Sequence, residues 1–204
     1  MAIKLILCWV IYFVIHSLFA SDRMKLTFKR YIPKLNIYYR AIYNLFATIG
    51  LLIILIYQST FPQKFFYVPD TGITFLGLGL AALGLMIIKE SFTQYDIMEF
   101  VGIRQLNGNL TEEPFRRKGL LEYIRHPLYS GSILLLIGYL IFAPGTLNLI
   151  TVLCMILYLV IGSWFEEKKL IKIYGKEYIN YKKEVPAFIP SLQILLKKFR
   201  KPKN

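Results

Sequence analysis

The sequence predicts an all-α, polytopic membrane protein with five transmembrane helices. Three observations predict it. Hydrophobic residues make up 56% of the 204 residues and mean hydropathy is +0.50, well above an ordinary soluble domain. The apolar residues gather in five runs, at residues 3–19, 39–57, 73–88, 128–142 and 147–165. Of the 25 basic residues, all but Lys4 and Lys64 fall in the segments that one side of a five-span chain exposes. That asymmetry predicts a multi-pass protein of a bacterial inner membrane, N-terminus outside and C-terminus cytoplasmic. A net charge of +13 would suggest nucleic acid in a soluble protein. Here topology accounts for the charge, and the expected partner is membrane lipid, with no nucleic acid. The chain reads as a single membrane domain over residues 1–204.

A spanning helix needs about 20 residues, with about 17 at the short end. The first, second and fifth runs satisfy this. The third and fourth are short, and rely on snorkelling of their flanks or local thinning of the bilayer. The first run has a signal-peptide look, but its start carries only Lys4 and Ala20-Ser21-Asp22 is a poor cleavage site, so it reads as a retained helix. It ends in His16-Ser17, where the imidazole is expected to bond a neighbouring helix or water near the interface. Cys8 and Cys154 each sit inside an apolar run with no partner at metal spacing. Both read as small buried hydrophobes, and no metal is expected. In the third run Gly77 and Ala81 form a small-x-x-x-small pair that lets another helix approach closely. The segment from Lys89 to Glu122 mixes apolar and charged residues, which predicts a structured piece with a turn at Asn107-Gly108-Asn109.

The chain is organised around Tyr123-Ile124-Arg125-His126-Pro127-Leu128-Tyr129-Ser130-Gly131. Pro127 suits the first position of a helix, because its missing N–H would lack a partner there in any case. Arg125 and His126 therefore stand at the mouth of a helix entering apolar surroundings. Such a helix start favours anions, and Arg125 adds a planar fork suited to a carboxylate or phosphate. Ala143-Pro144-Gly145-Thr146 breaks the fourth and fifth runs into a hairpin. At 1.5 Å per residue, the helix from Pro127 to Pro144 covers about 26 Å, and the same distance onward from Gly145 ends near Gly162. Glu166 and Glu167 should thus lie close to Arg125 and His126. Beyond them Glu167, Ile171, Tyr174, Tyr178 and Tyr181 recur at helical spacing, predicting one apolar-aromatic face with lysines outward. Gly175 bends or caps this helix. Residues 185–190, with Pro186 and Pro190, then cross back as an extended strap. The tail at 191–204 sets Leu195, Leu196 and Phe199 among basic residues, a membrane-surface anchor.

Arg125-His126-Pro127-x-Tyr129-x-Gly131 resembles the core motif of the isoprenylcysteine carboxyl methyltransferase-like membrane family. So does Glu166-Glu167-x-x-Leu170-x-x-x-Tyr174-Gly175-x-x-Tyr178-x-x-Tyr181, followed by Val185-Pro186 and Pro190. His16-Ser17, Tyr39-Arg40-x-x-Tyr43-Asn44 and Tyr95-Asp96 with Phe100-x-Gly102-x-Arg104-Gln105 look like the bacterial methanethiol S-methyltransferases and their denitrification-associated relatives. Leu121 and Gly162 depart from the prenylcysteine enzymes, where a cofactor-contacting tyrosine and a substrate-contacting arginine stand.

The resemblance implies a methyltransferase core over residues 119–190, with a cytoplasmic pocket for S-adenosyl-L-methionine capped by the C-terminal helical segment. It implies cofactor contacts from Arg125, His126, Pro127, Leu128, Tyr129, Glu166, Glu167, Tyr178 and Tyr181. Arg125 and His126 are the candidate catalytic residues. Arg125 suits the cofactor carboxylate, Glu166 an ammonium or ribose hydroxyls, and the tyrosines offer faces to adenine or the sulfonium. The expected acceptor is small or lipophilic, most of all a thiol, with a lipid amine or a carboxylate as alternatives. A non-catalytic accessory protein is the alternative outside catalysis, and no obligate protein partner is evident. A transporter does not fit, since the spans hold almost no ionisable residues.

Overall fold

The computed structural model describes residues 1–93, 115 and 117–199. The segment 95–105, the expected Asn107-Gly108-Asn109 turn and the end of the basic tail lie outside the described residues. The described chain is all-helical apart from one isolated bridge. The helices are α1 (Ala2–Ala20), α2 (Asp22–Tyr31), α3 (Tyr39–Ser59), α4 (Thr71–Phe92), α5 (Pro127–Phe142), α6 (Thr146–Tyr174), α7 (Lys176–Glu184) and α8 (Leu192–Phe199). Short 3-10 turns at Pro33–Tyr38 and Gly119–Glu122 precede α3 and the site. Among the described residues, α1, the stretch Pro33–Ser59, α4 and α6 are long and apolar enough to cross a membrane, while α5, with 16 residues, is shorter.

The chain divides into two compact units. The first contains Met1–Val68 and Ala143–Met155. Its buried core is Leu5, Trp9, Ile54 and Leu147, with Cys8 and Cys154 packed against it as expected of small hydrophobes. The ends of α1 and α3 are tied by the Tyr39 hydroxyl, which donates to the Phe19 carbonyl at 2.6 Å. His16 meets the Tyr43 hydroxyl at 2.8 Å from Nε2, the neighbouring-helix bond its position suggested. A buried polar chain crosses the unit. Trp9 Nε1 donates to Thr151 Oγ1 at 3.0 Å, Thr151 donates to Gln58 Oε1, and Gln58 Nε2 donates to Asn148 Oδ1 at 2.7 Å. Each polar group within an apolar bundle must find such an internal partner. The helix break at 143–146 is held by backbone pairing, Phe66 N–H to Pro144 O and Thr146 N–H to Lys64 O, both at 2.9 Å.

The second unit contains α4, α5, the rest of α6, α7 and α8. Asp70 caps α4 by accepting from the Ile73 N–H at 2.7 Å. α4 and α5 touch backbone to backbone along the predicted small-residue stripe. A β-carbon at Gly84 would lie 2.6 Å from Gly131 O, and one at Gly138 would lie 2.5 Å from Ala81 N. Only glycine permits that approach. α6 has 29 residues, about 43 Å at 1.5 Å each, against a hydrocarbon core of about 30 Å. Its apolar part ends at Phe165, and the charged extension from Glu166 lies beyond it.

Candidate functional site

The site is built where the start of α5, the charged extension of α6, the end of α7 and the strap meet, all within the second unit. Ile124 closes the short turn by donating its N–H to Leu120 O at 3.0 Å, which aims Arg125 and His126 at the mouth of α5. Gly175 then reverses the chain between α6 and α7. Its φ is +57°, a conformation that costs other residues steric energy. The reversal brings the C-terminal end of α7 and residues 185–188 back over α5. The strap docks through its backbone. Arg125 N–H donates to Pro186 O at 2.9 Å, and His126 N–H donates to Ala187 O at 3.0 Å. Ser130 Oγ donates to Phe188 O at 2.8 Å.

Glu167 is the hub. Its side chain is 8% exposed. Oε1 accepts from Arg125 Nε at 2.8 Å and Nη2 at 2.7 Å, and lies 3.1 Å from His126 Nε2. Oε2 lies 2.5 Å from Lys182 Nζ. Burial alone would raise this carboxyl. The Lys182, Arg125 and His126 partners outweigh it and hold the group at about 2. Arg125 Nη1 donates onward to Lys182 O at 3.0 Å and to Val185 O, so the guanidinium also pins the end of α7. The Arg125 fork that the sequence offered to a ligand carboxylate is thus occupied by Glu167 and two backbone carbonyls.

Glu166 differs from its neighbour. Its side chain is 37% exposed, and Oε2 lies 3.6 Å from His126 Nδ1. The imidazole therefore stands between two carboxylates. The Tyr129 ring lies parallel to it at 5.4 Å between centroids, and the Phe188 ring lies tilted to it at 5.7 Å. Pro127 is buried at the first position of α5 and Leu128 is half-buried beside it.

Tyr178 and Tyr181 are buried in a cluster with Val185, packed by Phe115, Leu170, Ile171, Tyr174 and Ile194. The predicted aromatic face is therefore real and continues across the break at Gly175. Its rings pack against Phe115, and the Tyr181 hydroxyl donates to Leu121 O at 2.6 Å. Burial, and next the Glu167 charge, push the Tyr178 phenol upward. Arg117 pairs with Glu184 at 2.6 Å and lies over the Tyr181 ring at 4.9 Å.

Glu166, Glu167, Arg125, His126 and Tyr129 are brought together as the hairpin geometry required. Lys182 was missed: the lysines of this segment were expected to point outward, and this one reaches Glu167. The strap carbonyls and Phe115 were missed as well. The chemistry of the site is an arginine–glutamate–lysine knot with one more cation than carboxylate, its Lys182 partly exposed, and the partly exposed Glu166 carboxylate beside it. No group of three or more metal-ligating side chains occurs among the described residues.

The sequence profile of the NnrU protein family matches residues 4–195. Among curated proteins, the chain is similar to "Methanethiol S-methyltransferase 1" of Bradyrhizobium diazoefficiens, 28% identical over 91% of this chain and 65% of that protein. It is similar to "Methanethiol S-methyltransferase" of Crocosphaera subtropica, 27% identical over 86% of this chain and 69% of that protein. The protein of the same name from Mycobacterium tuberculosis is 25% identical over 88% of this chain and 74% of its own length. The chain thus spans just under two thirds of the first of these relatives and somewhat more of the others. No solved structure matches the chain.

Proposed function

The chain belongs to the NnrU family, and on that premise we propose that it is an integral membrane S-adenosylmethionine-dependent methyltransferase acting on a small or lipophilic thiol. The observation that carries the reading is the knot of Arg125, His126 and Glu167 at the mouth of α5, in a chain whose relatives are named methanethiol S-methyltransferases. All five apolar helices span, α5 across a thinned or locally filled bilayer, with the knot on the cytoplasmic side.

The residues fit the polar tail of the methyl donor. A half-exposed carboxylate, Glu166, and a half-exposed ammonium, Lys182, stand beside the knot and match an ammonium and a carboxylate. The donor, when bound, supplies an electrophilic methyl group on a cationic sulfur. This chain's part is to bind, orient and exclude water. Glu166 and the outer edge of His126 make the direct contacts, with Tyr129 steadying the imidazole by stacking. Arg125 and Glu167 act by position. They lock the strap and the end of α7 over the start of α5, so that Pro127, Leu128 and Tyr129 present a fixed wall. Tyr178 and Tyr181 support that wall from the Phe115 cluster.

One observation favours a second reading. The hydrogen bonds of the Arg125–Glu167–Lys182 knot are made within the chain, which would suit a non-catalytic membrane protein that keeps the knot as a structural lock. The test uses purified full-length protein in nanodiscs with S-adenosylmethionine labelled on its methyl group. The acceptors are methanethiol, a prenylated cysteine analogue and phosphatidylethanolamine. Label moving to the thiol, and falling at least tenfold in Glu166→Gln and His126→Ala, supports the reading. Label on another acceptor changes the substrate. Folded protein that neither binds the donor nor turns over leaves the accessory reading.

A further inference from the structure

Behind the strap lies a cavity of about 740 Å³ within the second unit. Its wall includes Ile87 of α4, Ile124 just before α5, Ile133, Leu134 and Ile137 of α5, and Phe188 of the strap. Among the described residues the polar lining is Tyr123 and Ser130, and the Ser130 hydroxyl already meets the His126 and Phe188 carbonyls, at 3.0 and 2.8 Å. A nucleoside bound here would leave its polar edges without partners, at a cost of about 1–3 kcal/mol for each buried group. The wall suits hydrocarbon.

Size narrows the occupant. Methanethiol has two heavy atoms, and at about 30 Å³ each it fills on the order of a tenth of such a space. The cavity also adjoins the knot. Phe188 forms part of its wall and packs on the His126 ring, and Ile124 directly precedes Arg125. We propose that this cavity holds the alkyl chain of the methyl acceptor, and that the acceptor is a long-chain alkyl thiol drawn from the bilayer, with about ten carbons or more, since at the same volume per atom decanethiol fills roughly half of the space. This rests on the methyltransferase reading above and narrows its substrate. In the reaction the thiol proton passes to water and the acceptor sulfur bonds the methyl carbon of S-adenosylmethionine. The methyl–sulfonium bond breaks, with its electron pair left on the donor sulfur. The products are an alkyl methyl sulfide, S-adenosylhomocysteine and a proton.

The test has two arms, run on the full chain in nanodiscs for wild type, Ile133→Trp and Ile133→Ala. The first follows binding of decanethiol to donor-free protein by native mass spectrometry. The second follows methyl transfer to thiols of one to sixteen carbons. The expected result is decanethiol binding to the wild type, and a transfer optimum at about ten carbons or longer. The optimum should move to shorter thiols in Ile133→Trp and to longer ones in Ile133→Ala. Partitioning of long thiols into lipid acts on all three proteins alike, so the shift between variants is the decisive readout. Methanethiol methylated as well as decanethiol, with the same chain profile in all three proteins, overturns the chain site and keeps the methyltransferase. No thiol methylated by folded protein overturns both, even where decanethiol binds.

Discussion

Lys182 and Glu167 meet at 2.5 Å although they stand on two helices that a left-handed glycine separates. Both oxygens of the carboxylate are thereby engaged, one by Arg125 and His126 and the other by Lys182. A buried carboxylate with this many partners ties the mouth of α5 and the end of α7 to α6, alongside the Tyr178–Tyr181 cluster. Removing it strands the partners.

Glu167→Gln keeps the size of the side chain and removes its charge. Breaking a buried ion pair by taking one partner typically costs about 3–5 kcal/mol. Lys182→Met should cost less, about 1 kcal/mol, because the Lys182 side chain is 43% exposed. Denaturant unfolding of the two variants in nanodiscs measures both. Equal and small losses would show that the knot behaves as a surface network.

The Glu167 carboxyl sits at about 2 in the folded protein, against an ordinary 4.5. A lowered carboxyl stabilises the fold above its unfolded value, and that contribution disappears as pH falls. Stability should therefore decline from about pH 4.5 down to about pH 2, by an amount on the order of 3 kcal/mol from this group. Unfolding free energies measured across that window in wild type and Glu167→Gln test the claim. The Gln variant should show the smaller decline.

Gly84→Leu drives a side chain into the Gly131 backbone, where even a β-carbon would lie at 2.6 Å. Forcing α4 and α5 apart should cost about 1–3 kcal/mol or more. Gly79→Leu, on the same helix, meets nothing within 4 Å and should be near neutral. Thermal midpoints of the pair discriminate local packing from a general intolerance of α4.

Gly175→Ala places a β-carbon on a residue with φ of +57°, at a cost of about 1–2 kcal/mol. A β-carbon there meets nothing within 4 Å, so any loss reports backbone conformation alone. Because α7 carries Lys182, the methyl transfer proposed above should fall more steeply than stability does. Paired unfolding and turnover measurements would reveal whether the two losses separate.

Much of this fold was legible in the sequence because its signals are local. Hydropathy marked the start of each apolar helix to within two residues, although α4 ends four residues and α6 nine residues beyond the apolar run. Pro127, Gly175 and the break at 143–146 each act on their own backbone, so each could be read in place. The small-residue stripe also foretold a close helix partner, since only absent side chains permit one. Lys182 could not be read so, because its route to Glu167 depends on the angle at which Gly175 turns the chain. The occupation of Arg125 by strap carbonyls was equally hidden: backbone acceptors leave no mark in a sequence. Nor did the tyrosine periodicity reveal that Phe115 closes over Tyr178 and Tyr181.

The strap also sets a timetable for biosynthesis. Arg125 waits for a carbonyl 60 residues downstream, and Ser130 for one 58 residues downstream. At a synthesis rate of about 5–20 residues per second, the ribosome needs roughly 3–12 s to deliver them. Throughout that interval the apolar helices are already emerging and seeking lipid, while the mouth of α5 stands open. The strap closes over α5 only after Phe188 has been made, so a chain stopped before that residue leaves the mouth of α5 open.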